Sequence, residues 1–228
     1  MEVVRKNIKN LHVGVYPPNG RVRVAAPLRL GDDAVRLALI SRLAWIRRRQ
    51  IEFAEQDRQS RREMLTGETH YFQGRRYRLD VIEHEGPPSV VSSSNTTMEL
   101  RVRQGADQNE RDGVLQGWYR SQLGGLLPPL IAKWEPQIGV TVGEVRIKRM
   151  KTRWGSCNAA ARRIWLNLEL AKKPALCLEY VLVHEMVHLL ERGHGDRFRQ
   201  FMDRFMPAWR LYREELNRAP LAHEEWRY

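Results

Sequence analysis

At 228 residues with 42% hydrophobic side chains, the chain is long enough to bury a core in one generous domain or two small ones. It contains no run of 18 apolar residues, and Met1-Glu-Val-Val-Arg-Lys6 lacks the layout of a secretory signal, so a soluble, cytoplasmic protein without membrane partners is expected. Cys157 and Cys177 stand twenty residues apart with no C-x-x-C pair, which excludes a disulfide framework or a cysteine-built zinc knuckle, while a formal charge of +12 attracts polyanions whatever else the protein does.

In chain order, Leu11, Val13 and Val15 alternate against Val22, Val24 and Ala26 across Pro17-Pro-Asn-Gly20, which predicts a β-hairpin within residues 1 to 30. Asp32 or Asp33 is placed to cap a helix with Val35, Leu39, Leu43 and Ile46 on its apolar face. From Arg47 to Met64 the chain is heavily charged and free of Pro and Gly, so that helix should continue as one long, exposed extension until Gly67. Four short strands are expected next, at Tyr71–Phe72, Tyr77–Val81, Ser89–Ser92 and Met98–Val102, forming a β-meander. No phosphate-cradling glycine loop occurs.

A second long helix should run from about Asn109 to Trp134, kinked or broken at Pro128-Pro129 and ended by Gly139. Beyond it, Val145 and Ile147 share one strand phase and Met150, Thr152 and Trp154 the other, so a bulge near Lys148-Arg149 is expected. Gly155-Ser-Cys-Asn158 then reads as a turn, and Arg163 to Leu168 as a returning strand with Trp165 and Asn167 outward. Nine Lys or Arg and one acid lie between Arg146 and Lys173, a net +8 that is either a solvated basic face or a surface for nucleic acid or another polyanion.

His184-Glu-Met-Val-His188 follows Pro174 on a predicted helix whose stripe is Leu176, Tyr180, Val183, Val187 and Leu190. Residues four apart lie about 40° from eclipsed and roughly 6 Å along the axis, so His184 and His188 can address one metal ion with Glu185 beside it. That is the H-E-x-x-H arrangement of zinc hydrolases. For a third ligand, Glu191 is a further turn along the same straight helix, whereas His194 follows Gly193, whose left-handed conformation would swing the chain back. His194 is therefore preferred. Phe198, Phe201, Met202 and Phe205 then form a closing helix ended by Pro207, followed by a last helix through Trp209, Tyr212 and Leu216 and a loosely held tail from Ala219.

Met150-Lys-Thr-Arg-Trp-Gly-Ser-Cys157, Ile164-Trp-Leu-Asn-Leu168, Glu179 to Leu189 and Gly193-His-Gly-Asp-Arg-Phe198 together resemble the YgjP-like metallopeptidases, which are related to the SprT group. Val22 to Pro27, Trp45-Ile46 and Phe72 to Tyr77 extend the likeness through the first half. The resemblance implies an α+β fold: a β-rich region with one long helix over 1–105, and a zincin-like metallopeptidase domain over 106–228, with a short sheet on the H-E-x-x-H helix. It further implies Zn²⁺ on His184, His188 and His194, with Glu185 as general base. Relatives commonly read Asn-His-Ser where this chain reads Gly193-His-Gly195. Such peptidases accept an extended polypeptide along an upstream edge strand, a role open to Trp165 and Asn167 here, although Trp165 has plain packing as its alternative. Arg153 and Tyr180 are candidate substrate or oxyanion contacts. A metal-dependent hydrolase of nucleotides or phosphoanhydrides, and a nucleic-acid-associated module with a regulatory zinc site, are the alternatives to a peptidase.

Overall fold

The structure, a computed structural model, describes residues 2–16, 20–55, 63–150 and 153–218. It is an α+β protein whose chain divides into two compact units, at residues 61 and 62 rather than at the expected 105 and 106. In the first unit, β2 (His12–Tyr16) and β3 (Arg21–Pro27) pair antiparallel with Val13 opposite Val24 and Val15 opposite Val22, as the alternation predicts. The turn residues 17–19 lie outside the described residues. A strand the pattern did not announce, β1 (Glu2–Lys6), joins β3 in parallel.

The expected single helix is two, α1 (Asp32–Ile40) and α2 (Leu43–Glu55). The interruption has a local cause. Ser41 Oγ donates to Ala38 O, and the Arg42 N–H that would serve Ala38 in an unbroken helix bonds Leu39 O instead. Neither aspartate caps α1: Gly31 holds the cap position, Asp32 and Asp33 occupy the first turn where the helix dipole favours acids, and Asp32 pairs with Arg5. Residues 56–62 of the expected extension lie outside the described residues.

The second unit holds the large core. Its first sheet has β4 (Thr69–Phe72), β5 (Arg75–Glu83), β6 (Ser89–Ser92) and β7 (Thr97–Val102) in the order β4-β5-β7-β6. It is not a meander, because β5 and β7 pair in parallel with β6 on the outside. Burial decides the order. β7 buries Met98, Leu100 and Val102, each worth about 2 kcal/mol, and so takes a central place, whereas β6 buries only Val90 and leaves Val91 exposed at the edge. Gln73 and Gly74, both at positive φ, make the tight β4–β5 turn, and their N–H groups bond Ala171 O and Lys172 O.

α3 (Gln108–Ile138) opens with a reciprocal cap, in which Asp107 accepts from Glu110 N and Glu110 accepts from Asp107 N, and ends at Gly139 in the left-handed conformation. It is not broken at Pro128-Pro129. The carbonyls that lose their donors belong to Gly124 and Gly125, one turn back, and all four residues face water, which replaces the missing bonds.

The second sheet comprises β8 (Glu144–Lys148), β9 (Gly155–Asn158) and β10 (Arg163–Asn167) in the order β8-β10-β9. β8 stops at Lys148 without the expected bulge, and Lys151 and Thr152 lie outside the described residues. The stretch read as a turn, Gly155 to Asn158, is a strand; the turn follows it, with Arg162 at φ 48°. A 3-10 helix (Leu168–Lys172) then leads through Pro174 into α4 (Ala175–Val187), with α5 (Asp196–Phe205) and α6 (Trp209–Arg218) completing the unit. The tail from 219 lies outside the described residues.

Candidate active site

The site is built on α4. Its burial is broader than the expected stripe: Tyr180, Val183 and Val187 are buried, but Leu176 and Leu190 are exposed, and Val181, Leu182 and Met186 on the flanks are buried instead. A helix packed on most sides fixes its polar residues firmly. It ends at His188, whose N–H reaches His184 O, and Leu189, Leu190 and Glu191 tighten the turn through bonds to Met186 O and Val187 O. The chain therefore reverses over 188–191. Gly193 is not at positive φ, so the return of His194 owes nothing to the left-handed glycine expected there.

His184, His188 and His194 converge, with their ligand atoms all within 4.8 Å of one another. His194 Nε2 lies 3.0 Å from His184 Nε2 and 3.1 Å from His188 Nε2. Phe198, buried on α5, packs against all three rings with centroids 4.7 to 4.9 Å away. The His188 Nδ1 is 3.0 Å from Glu191 O; a carbonyl only accepts, so Nδ1 carries the proton and Nε2 presents its lone pair to the cluster. Burial, then the neighbouring His188, His194 and Arg213, push His184 down to about 3, which keeps its imidazole neutral. Three imidazoles whose Nε2 atoms turn toward one point fit a divalent metal with nitrogen preference. Glu191 stays outside the cluster: its carboxylate accepts from Gly193 N and lies 3.9 Å from Arg197.

Glu185 is 6% exposed, and burial pushes its carboxyl up to about 8 against the opposing charge of Arg153. It lies against β9, where a Cβ on Gly155 would come within 2.6 Å of Glu185 Oε1. An open cavity of about 950 Å³ runs over this ground, lined by Glu185, the three histidines, β9, Arg153, Tyr180 and residues of α6.

The other predicted contacts divide. Arg153 and Tyr180 line the cavity; Tyr180 meets His184 edge-on and stacks on Trp209. Trp165 and Asn167 do not line it. β10 is the central strand of its sheet, so it is not the expected edge, and Trp165 lies under Lys148 and Arg146 at 4.2 and 5.4 Å. Asn167 points inward: its amide donates to Met150 O and Arg153 O and accepts from Met150 N and Glu169 N, holding the segment that leads to Arg153. The strand beside Glu185 is β9, missed because Gly-Ser-Cys-Asn has the composition of a turn. Arg213 and Asn217 were missed as well, since nothing in a polar helix face says which cavity it borders.

Among the described residues of the basic segment, many of the charges are paired or turned away from open solvent. Arg146 and Arg163 both pair with Glu144, Lys172 pairs with Glu169, Arg149 lies 3.8 Å from Asp112, Lys173 is buried, and Arg153 turns to the cavity.

A buried carboxylate beside three converging histidines is an arrangement compatible with metal-promoted hydrolysis. The protein's family is defined by sequence. The chain belongs to the YgjP-like family, whose model, described as a YgjP-like metallopeptidase domain, matches residues 10–219. It is thus a metal-dependent peptidase by family. No curated protein matches the chain. The crystal structure of the metallopeptidase zymogen of Pyrococcus abyssi abylysin is similar to it at 18% identity and a TM-score of 0.36, covering 39% of this chain and 89% of that one. Among the described residues no helix is long and apolar enough to cross a membrane.

Proposed function

We propose that the protein hydrolyses peptide bonds as a zinc peptidase, with His184, His188 and His194 holding the metal and Glu185 acting as general base. The observation that carries this reading is the placement of Glu185, buried against Gly155 and adjacent in sequence to the first histidine of the cluster. Bound zinc supplies Lewis acidity, activating water and polarising the scissile carbonyl. Glu185 takes the proton of the attacking water and passes it to the leaving amine. β9 is an outer strand of its sheet and borders the cavity, so a polypeptide in extended form adds to it and brings a carbonyl to the cluster. Tyr180 and Arg153 border that position and are the side chains available to stabilise negative charge on the carbonyl oxygen.

The test is zinc-loaded protein assayed on an unstructured polypeptide and on a nucleoside triphosphate panel, beside Glu185→Gln. Cleavage of polypeptide alone, falling about 10²- to 10⁴-fold in Glu185→Gln at unchanged zinc content, is expected. Triphosphate hydrolysis that depends on Glu185 would transfer the site to phosphoanhydrides, and activity surviving in the variant would remove Glu185 from the chemistry.

A further inference from the structure

The cavity is electrically lopsided. Arg153, Arg192 and Arg213 line it, while Glu185 is the one acidic residue among its described lining residues. Several arginines of the second unit are paired, Arg101 with Glu99, Arg146 and Arg163 with Glu144, Arg199 with Asp196 and Arg210 with Asp203. None of the three cavity arginines is held in an ion pair among the described residues. Two of them come from separate elements, Arg153 from the segment before β9 and Arg213 from α6.

Unpaired guanidiniums gathered around a reaction centre repel cationic side chains and offer forked donors to an anion. Resting on the peptidase reading, we infer that this cavity selects polypeptides carrying a carboxylate close to the scissile bond, bound by Arg153 and Arg213. Aspartate or glutamate side chains and the free C-terminal carboxylate of a peptide share this chemistry. A segment extended along β9 passes Arg153 at one end of its path, so an anion there is held as the carbonyl reaches the cluster. The Asn167 amide, bonded to Arg153 O, fixes the backbone from which that guanidinium projects.

The experiment uses the full chain, zinc-loaded, as wild type and as Glu185→Gln. Fluorescent decapeptides of one sequence carry Glu, Gln or Lys on either side of the central bond, each with a free or an amidated C-terminus. Binding to Glu185→Gln is read by polarisation, and cleavage by wild type as kcat/KM. A carboxylate-bearing peptide is expected to bind about tenfold or more tighter than its amide counterpart, with the advantage shrinking as salt rises. Arg153→Gln and Arg213→Gln, each built on Glu185→Gln, should each reduce the binding advantage and the two together abolish it, with zinc content and melting temperature unchanged and binding of neutral peptides within about threefold of the parent. The Glu/Gln and free/amidated pairs tell which carboxylate is recognised. Equal binding of acidic and neutral peptides, an advantage that survives in the double variant, or an oligonucleotide displacing every peptide would overturn the inference. Cleavage without acidic preference would sink the inference and leave the peptidase reading intact; selective binding without cleavage of any peptide would do the reverse.

Discussion

Gly155→Ala tests the site through geometry alone. The added methyl carbon would lie 2.6 Å from Glu185 Oε1, 2.7 Å from Cγ and 2.9 Å from Cδ, against a comfortable carbon–carbon separation of about 3.5 Å. The whole Glu185 side chain must therefore move by something near 1 Å, and it is buried between β9 and a helix packed on most sides. Gly155 has no positive φ, so the alanine backbone itself is unstrained and the contact carries the full effect. A displacement of about 1 Å at a general base costs on the order of 10²-fold in rate, or roughly 3 kcal/mol of barrier. Overpacking adds about 1–3 kcal/mol of destabilisation. The assay is kcat/KM on an unstructured polypeptide, with zinc by elemental analysis and a melting curve. Since Gly155→Ala and Glu185→Gln disable the same group, the double variant should be no worse than Glu185→Gln. Activity within about threefold of wild type in folded, zinc-loaded Gly155→Ala would refute the placement of Glu185.

Replacing His194 by Ala should weaken zinc binding by more than about tenfold, whereas Glu191→Ala, which loses a bond to Gly193 N, should change it by less than about threefold; competition with a chromophoric chelator reads both, and the reverse order would make Glu191 the ligand. Lys173 is 5% exposed, and burial, reinforced by Lys172 and opposed by Glu169, pulls its amine down to about 8. The unfolded chain therefore binds the extra proton between pH 8 and about 10.5, so folding stability conferred through this residue rises with pH across that window. Relative to Lys173→Met, the wild type should gain up to about 3 kcal/mol from pH 7 to pH 10.5 in denaturant titrations, and parallel curves for the two would refute the shift.

What the sequence made legible was local. The β2–β3 register, the end of α3 at Gly139 and the α5 stripe beneath the histidines each follow from a period or a turn residue within a few positions. The failures were of competition. Pro128-Pro129 reads as a break until Gly124 and Gly125, facing water, are seen to carry the lost bonds. The β-meander reads well strand by strand, yet the order of the strands is set by which of them buries most, and that quantity belongs to the sheet.

The site divides along the same line. Two histidines four apart on a helix converge whatever surrounds them, so the H-E-x-x-H string was sufficient to bring His184 and His188 together. His194 arrived by a different route from the one argued, because a tightened helix end reverses the chain as well as a left-handed glycine does. Asn167 and Trp165 were misread for a structural reason: alternation along β10 gives the phase of each side chain but not whether the strand has a neighbour on both sides. Once β9 closes one side, an outward-phased asparagine faces backbone, and its four hydrogen bonds become more useful holding Arg153 in place than meeting substrate. The glycine at position 155, read as part of a turn, follows from the same packing, since the strand beside the buried Glu185 carboxyl has no room for a Cβ at its closest approach.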